Sequence, residues 1–489
     1  MKHSQSIRLI LLIAPLLVLA TASPAQAEHH LFLDPEFVQH AQRASLHVNP
    51  PQQRELVIQH DKQWEKLMIT FFLTVREEQG KLRMWYICRD AQNQPNVAYA
   101  ESTDGLHWTK PNLGIVEYAG NRDNNLVGLR DLEGVVFADP NTPPSQRYVY
   151  VTHIFGKGIF RFHSPDGLHW TRDAEPIMKL GADTQIVTFW DPGLQKYVLY
   201  LRGWSRGADQ KLYRKVLRAE VPSLTTPLDV GPSEKSLYLW GKDKPPVMNG
   251  ELPTVFAADE RDPPNSDVYN LSAQPYPLDP HWYVAFPSFF RRERTNSQGK
   301  LEVQFAGSRD GIAWHRYDRV PYVSLGLAGS ESENMVFMGT GLVVRGDEIW
   351  QYGTAYWSKH GDFEPRKSRT DGVIYRYVQR LDGFVSLDFA DEAGECRTAP
   401  VKVDGAHLML NVDTGALGQL RVGLVDTDGK DISGYSVDDC EVVRTNSTHA
   451  RVSWSGGSDL SQLAGREVQL KLTGSRAKLY SFYFVDEAP

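Results

Sequence analysis

The sequence predicts an all-β protein: a five-bladed β-propeller over residues 28–380, followed by a β-sandwich over residues 381–489. Three observations predict it. A seven-residue motif recurs along the first part of the chain. Each repeat opens on a similar apolar run. Past about Asp382 the texture changes to short strands with no such motif.

The motif is Ser102-Thr103-Asp104-Gly105-Leu106-His107-Trp108. It returns as Ser164-Pro165-Asp166-Gly167-Leu168-His169-Trp170 and as Ser308-Arg309-Asp310-Gly311-Ile312-Ala313-Trp314. Asp-Gly marks a tight turn, because Gly accepts positive φ and the Ser and Asp side chains bond the turn backbone. The second gap is a little over twice the first, so a degenerate unit belongs between them. Tyr197–Arg202 supplies its strand, and Arg218–Leu224 stands where the turn would be. Repetition at this period is the mark of a propeller or solenoid.

The unit openings are Met68–Val75, Glu133–Pro140, Asp183–Pro192, Asp267–Ala273 and Glu331–Met338. Five units of about four short strands suggest five blades, an arrangement that protects sheet edges by radial repetition. The later strands, such as Leu408–Val412, Leu420–Val425 and Leu479–Phe484, are separated by turns like Asp426-Thr427-Asp428-Gly429 and read as a sandwich.

The N-terminus carries a secretory signal pattern. Lys2 and Arg8 precede the apolar run Leu9–Ala20, and Ala25-Gln26-Ala27 sets a cut before Glu28. The expected protein is therefore secreted or periplasmic. No other run is long enough to span a membrane. Net charge is -7 with no Lys/Arg stripe, which argues against a nucleic-acid partner. Of the three cysteines, Cys88 sits in a strand, while Cys396 and Cys440 are candidates for pairing in an oxidising compartment.

A secreted propeller with Ser-x-Asp-Gly-x-x-Trp hairpins and a trailing sandwich resembles the glycoside hydrolase family 32 and 43 superfamily. The resemblance covers nearly the whole mature chain and extends to a bacterial group related to that superfamily. It shows in Leu31-Phe32-Leu33-Asp34, Trp108–Gly114, Asp267-Val268-Tyr269-Asn270 and Lys478–Phe482. The active-site motifs of family 32 are not reproduced. Asp34-Pro35 is a remnant of the nucleophile motif, Phe137-Ala138-Asp139-Pro140 has Ala where Arg should stand, and Glu395-Cys396 falls in the sandwich. The resemblance implies a glycoside hydrolase with a carbohydrate substrate and no cofactor. Some related propellers hold a cation near the axis, but no ligand spacing here demands one.

Glycoside cleavage needs one carboxylic acid to protonate the leaving oxygen and one carboxylate to attack or to activate water. In a propeller the starts of the inner strands face the substrate. The carboxylates there are Glu133, Asp183, Asp267, Glu331 and Glu333. Asp183 and Asp267 are assigned as base, nucleophile or pKa partner, and Glu333 or Glu331 as acid. Glu133, His153, Arg202 and His360 are assigned to sugar hydroxyls, and Trp190, Tyr269 and Trp357 to sugar faces. The turn aspartates Asp104, Asp166 and Asp310 are structural. A pocket closed by several blades implies exo action. The alternatives are a non-catalytic carbohydrate-binding propeller, or a glycoside phosphorylase or sialidase on the same scaffold. The hairpin also resembles the Asp-box of sialidases, without a clear arginine triad.

Overall fold

The computed structural model describes residues 28–130, 133–155, 157–230, 252–293, 297–366 and 368–487. The predicted signal segment, 1–27, lies outside them. Helix among the described residues is limited to one turn, Phe363–Arg366, and short 3-10 turns. None is long and apolar enough to cross a membrane.

The inner strands are Met68–Glu78, Val135–Ala138, Val187–Asp191, Ser266–Asn270 and Met335–Met338. Each touches the next. Val136 N–H donates to Thr74 Oγ1 at 3.2 Å, and Gly134 bridges Ile186. Thr184 Oγ1 donates to the Tyr269 carbonyl at 3.1 Å, and Ser272 Oγ to the Met338 carbonyl at 2.7 Å. Thr74 bridges Thr340, which returns to the first strand. The side where these strands begin is called the front, and the side where they end the back.

The repeated turns are what join blade to blade. In the first, Ser102 Oγ accepts from Gly105 N at 2.9 Å, and Asp104 Oδ1 accepts from the Leu106 and His107 amides. The turn carbonyls then face the preceding blade. Tyr352 donates to Gly105 O at 3.1 Å, Trp85 Nε1 to Gly167 O at 2.7 Å, and Tyr200 to Gly311 O at 2.8 Å. The motif aspartates are thus turn builders. Gly167 has φ +77, and a Cβ there would meet the Trp85 ring at 2.8 Å. Gly167→Ala is expected to lower unfolding free energy by about 1–3 kcal/mol. Urea unfolding against the parent would check this, and an unchanged midpoint would discard the latch role.

The last blade is completed from the other end of the chain. Gln53–Ile58 pairs with Val373–Arg380 as its outer strand. The expected domain boundary is corrected here, because residues 30–48 do not belong to the propeller. His30–Leu31 pairs with Lys478–Val485, Val38–Gln42 with Gly394–Thr398, and Ala44–Val48 with Val385–Phe389. Among the described residues, the sandwich therefore holds the first strands as well as the last. Burying Phe32 in the same core as Leu387, Leu410 and Phe482 is what draws the N-terminal segment there. Cys396 and Cys440 are buried in that core as free thiols, as Cys88 is elsewhere, so the pairing that the sequence left open is not made.

Where the two parts meet, Asp382 is almost fully buried. It accepts hydrogen bonds from His29 Nδ1 at 2.6 Å, from Ser481 Oγ at 2.6 Å and from the Tyr276 hydroxyl. Burial opposes the charge on both groups. Their mutual attraction outweighs it, holding His29 above its ordinary 6.5 and Asp382 below its ordinary 3.8.

Candidate active site

The front of the axis brings together Glu133, His153, Asp183, Arg202, Tyr269 and His360. Glu133 and Asp183 precede the inner strands of adjacent blades. Ile186 N–H donates to the Glu133 carbonyl at 2.6 Å and fixes one segment against the other. Glu133 has φ 88, a left-handed conformation that a non-glycine residue rarely adopts. Such strain persists only where its surroundings hold it, and it gathers at functional sites.

Arg202 organises the cluster. It extends from strand Lys196–Arg206 and is buried. One terminal nitrogen donates to the Asp183 carbonyl at 2.7 Å and to Asp183 Oδ1 at 2.9 Å. The other donates to the Tyr269 carbonyl at 2.6 Å, and the guanidinium lies 4.2 Å from the Tyr269 ring centre. Burial works against its charge, but Asp183 more than compensates and raises its pKa. Asp183 is thereby held as the partner of a fixed cation while its side chain stays 20% exposed.

Glu133 is in the opposite situation. Its Oε2 is enclosed without a hydrogen-bond partner. Burial first, and repulsion from Asp183 second, push its pKa up to about 8 against the pull of Arg202 and Arg89. At neutral pH it carries a proton, beside Asp183 in its ion pair with Arg202. A protonated, enclosed carboxyl group beside an ion-paired one is suited to acid and base roles.

Two histidines are held neutral. Burial takes His153 down to about 4, with Asp183 resisting. His360 is taken to about 3 by burial and then by Arg214. Its Nδ1 faces the Ser297 carbonyl at 2.5 Å, which only accepts, so Nδ1 carries the hydrogen. His360 Nε2 then accepts from the Tyr269 hydroxyl at 3.0 Å. Phe71 stacks on the His360 ring at 5.9 Å and meets Tyr269 at 6.1 Å, giving the site an aromatic floor.

The remaining predicted residues do not join this cluster. Asp267 is fully buried; it accepts from the Arg214 backbone at 3.0 Å and is ion-paired with Arg214 and Arg292. It is a strut between blade strands. Glu333 accepts from the Gly329 amide at 2.7 Å and closes its own loop, while Glu331 pairs with Arg369 at 2.7 Å. Trp190 packs on Tyr197 at 4.9 Å between blades, toward the back. Trp357 lies in blade five with its indole N–H on the Thr370 carbonyl at 3.1 Å and Arg369 over its ring. Sequence reasoning counted Glu133 among the candidate carboxylates but assigned it to sugar binding, and it passed over Phe71. The acidic residue before Gly134 was visible, but its burial beside Asp183 was not. Among the described residues, no group of three His, Cys, Asp or Glu side chains is placed to hold a metal ion.

No family model matches the chain, and no curated protein does. Solved structures with similar chain paths include one described as a glycoside hydrolase, with 14% identity and a TM-score of 0.44, covering 68% of this chain and 92% of that one. A family 43 arabinoxylan arabinofuranohydrolase from Bacillus subtilis has 10% identity and a TM-score of 0.40, covering 86% and 96%. An exo-inulinase from Aspergillus awamori has 11% identity and a TM-score of 0.41, covering 91% and 100%. Similarity at this level says nothing of which residues react.

Proposed function

We propose that the protein is a secreted glycoside hydrolase that removes sugar units from the end of an extracellular glycan, with Glu133 as general acid and Asp183 as base or nucleophile. One observation carries this reading. Glu133 is kept protonated by burial beside Asp183, and Asp183 is ion-paired with Arg202 at 2.9 Å. Glu133 would give its proton to the leaving oxygen. Asp183 would attack the anomeric carbon directly or take a proton from the attacking water. Arg202 positions Asp183, and the Phe71, Tyr269 and His360 rings offer apolar faces to a sugar. No cofactor is invoked. The signal pattern at residues 1–27 supports export, and the closed ring of blades around the site supports attack at a chain end.

The test is sugar release by residues 28–489 from a panel of glycosides and polysaccharides, followed across pH. Release is expected, and kcat/KM is expected to fall as pH rises through about 8, because deprotonation of Glu133 removes the acid. Activity that stays level well above that pH would remove Glu133 from the role. A second reading is a carbohydrate-binding propeller without catalysis. The aromatic floor and the ion-paired state of Asp267 favour it. Binding of glycans with no release from any of them would select it.

A further inference from the structure

Strand Lys81–Arg89 ends level with the start of the first inner strand, where Arg89 pairs with Met68. Arg89 therefore stands at the front. It shares a face of its strand with Trp85 and Ile87, which pack in one core with Val136 and Phe160 of the second blade. That blade carries Glu133, and Arg89 is near enough to pull on its proton.

The loop after Arg89 fixes its guanidinium. Asp90 Oδ1 accepts from Gln92 N at 3.0 Å and from Gln94 N at 2.9 Å, which ties the loop to itself. Asn93 adopts a left-handed φ of 61. Its backbone and side-chain oxygens both accept from Arg89 Nη1, at 3.1 and 3.2 Å. One nitrogen is thus occupied. The opposite edge, Nε and Nη2, has no hydrogen-bond partner among the described residues. It is not sealed in as Glu133 Oε2 is, and Arg89 stays partly exposed.

The other buried front arginines have carboxylates. Arg202 has Asp183, Arg366 has Asp371, and Arg214 and Arg292 share Asp267. Arg89 has no ion-pair partner among the described residues. Glu133 does not supply the missing charge, because it is protonated at neutral pH. A guanidinium held at one nitrogen, with its side edge open, matches the two oxygens of a carboxylate or a sulfate through parallel N–H bonds.

We propose that the front site takes a sugar bearing an anionic group, a uronate carboxylate or a sulfate ester, with that group on the Nε–Nη2 edge of Arg89. This names the substrate class of the proposed hydrolase, and it rests on that reading only in taking the ligand to be a sugar. Arg89 then sets specificity by touching the substituent, not the bond that breaks.

The experiment is calorimetric titration of residues 28–489 with D-galacturonate, D-glucuronate and D-galactose 6-sulfate, with D-galactose and inorganic sulfate as counter-probes. Saturable binding of at least one acidic sugar is expected, about tenfold or more tighter than either counter-probe. The tighter class distinguishes carboxylate from sulfate. Binding should weaken about tenfold or more in Arg89→Met, and less in Arg89→Lys, which keeps the charge and loses the fork. In the parent it should also weaken as sodium chloride rises from about 20 to about 300 mM, a readout that needs no variant to fold. Failure of all three acidic sugars to saturate would overturn the proposal. So would galactose or sulfate binding as tightly, affinity indifferent to salt, or affinity unchanged in a folded Arg89→Met protein. Acidic sugars that bind while no glycan is cleaved would support the proposal and sink the catalytic reading. Cleavage of neutral glycans with no preference for acidic ones would overturn the proposal and leave that reading standing.

Discussion

Asp183→Asn is expected to reduce kcat/KM by roughly 10²–10⁴-fold on whichever glycoside the parent cleaves, with the fold intact. Asparagine keeps the shape and can still accept from Arg202, so the ion pair of 2.9 Å becomes a neutral hydrogen bond. What disappears is the negative charge that, on the proposed assignment, attacks the sugar or activates water. That charge also helps raise the pKa of Glu133. The alkaline limb of any residual activity should therefore move to lower pH in this variant. A merely structural role for Asp183 would leave that limb where it was. Glu133→Gln should cost a similar factor and abolish the limb altogether. Asp267→Asn is the control, since that carboxylate joins Arg214 and Arg292 rather than the cluster. It should lower stability more than turnover. If Asp267→Asn removes activity from a folded protein while Asp183→Asn does not, the assignment of the front cluster is wrong.

Asp382→Ala is expected to destabilise the protein by about 3–5 kcal/mol, the range for breaking a buried pair from one side. The loss strands three groups at once: the His29 imidazole, the Ser481 hydroxyl and the Tyr276 hydroxyl. These come from the N-terminal segment, the sandwich and blade four, so both parts should loosen together. The pair also predicts a pH dependence. His29 has a raised pKa, so its contribution is fully present below 6.5 and is lost as pH rises through the folded value. Asp382 has a lowered pKa, so its contribution is fully present above 3.8 and is lost as pH falls through the folded value. The pair is fully effective between those two ordinary values. Urea midpoints measured across pH for parent and Asp382→Ala should differ most in that window. A constant difference across pH would remove the charged pair from the explanation.

Much of this was legible in the sequence, and for physical reasons. The Asp-Gly turns announce themselves because a tight turn needs specific residues in adjacent positions. The inner strands do so because a strand covered on both sides reads as a nearly continuous apolar run, as in Met68–Val75. Asp183 and Arg202 were singled out because they flank such runs. The unreadable parts depend on residues far apart. Nothing local to His30–Leu31 says that it pairs with Lys478–Val485. The same holds for Asp267, whose place at a strand start matches that of Asp183. Arg214 and Arg292 take it out of play, and their approach is a tertiary fact. Glu133 was seen but undervalued, since its pKa is set by burial beside Asp183.

The pairing of both chain ends has a consequence for the order of events in making the protein. Strands at 30–58 leave the ribosome long before their partners at 373–398 and 478–485 are made. The blades between can form locally, each from contiguous residues. The ring cannot close until residues 373–380 are made, nor the sandwich until residues 478–485 are. Contacts of such long sequence separation are slow to form. The first strands must wait with their backbone groups unmatched, exposed to the mispairing that open strand edges invite.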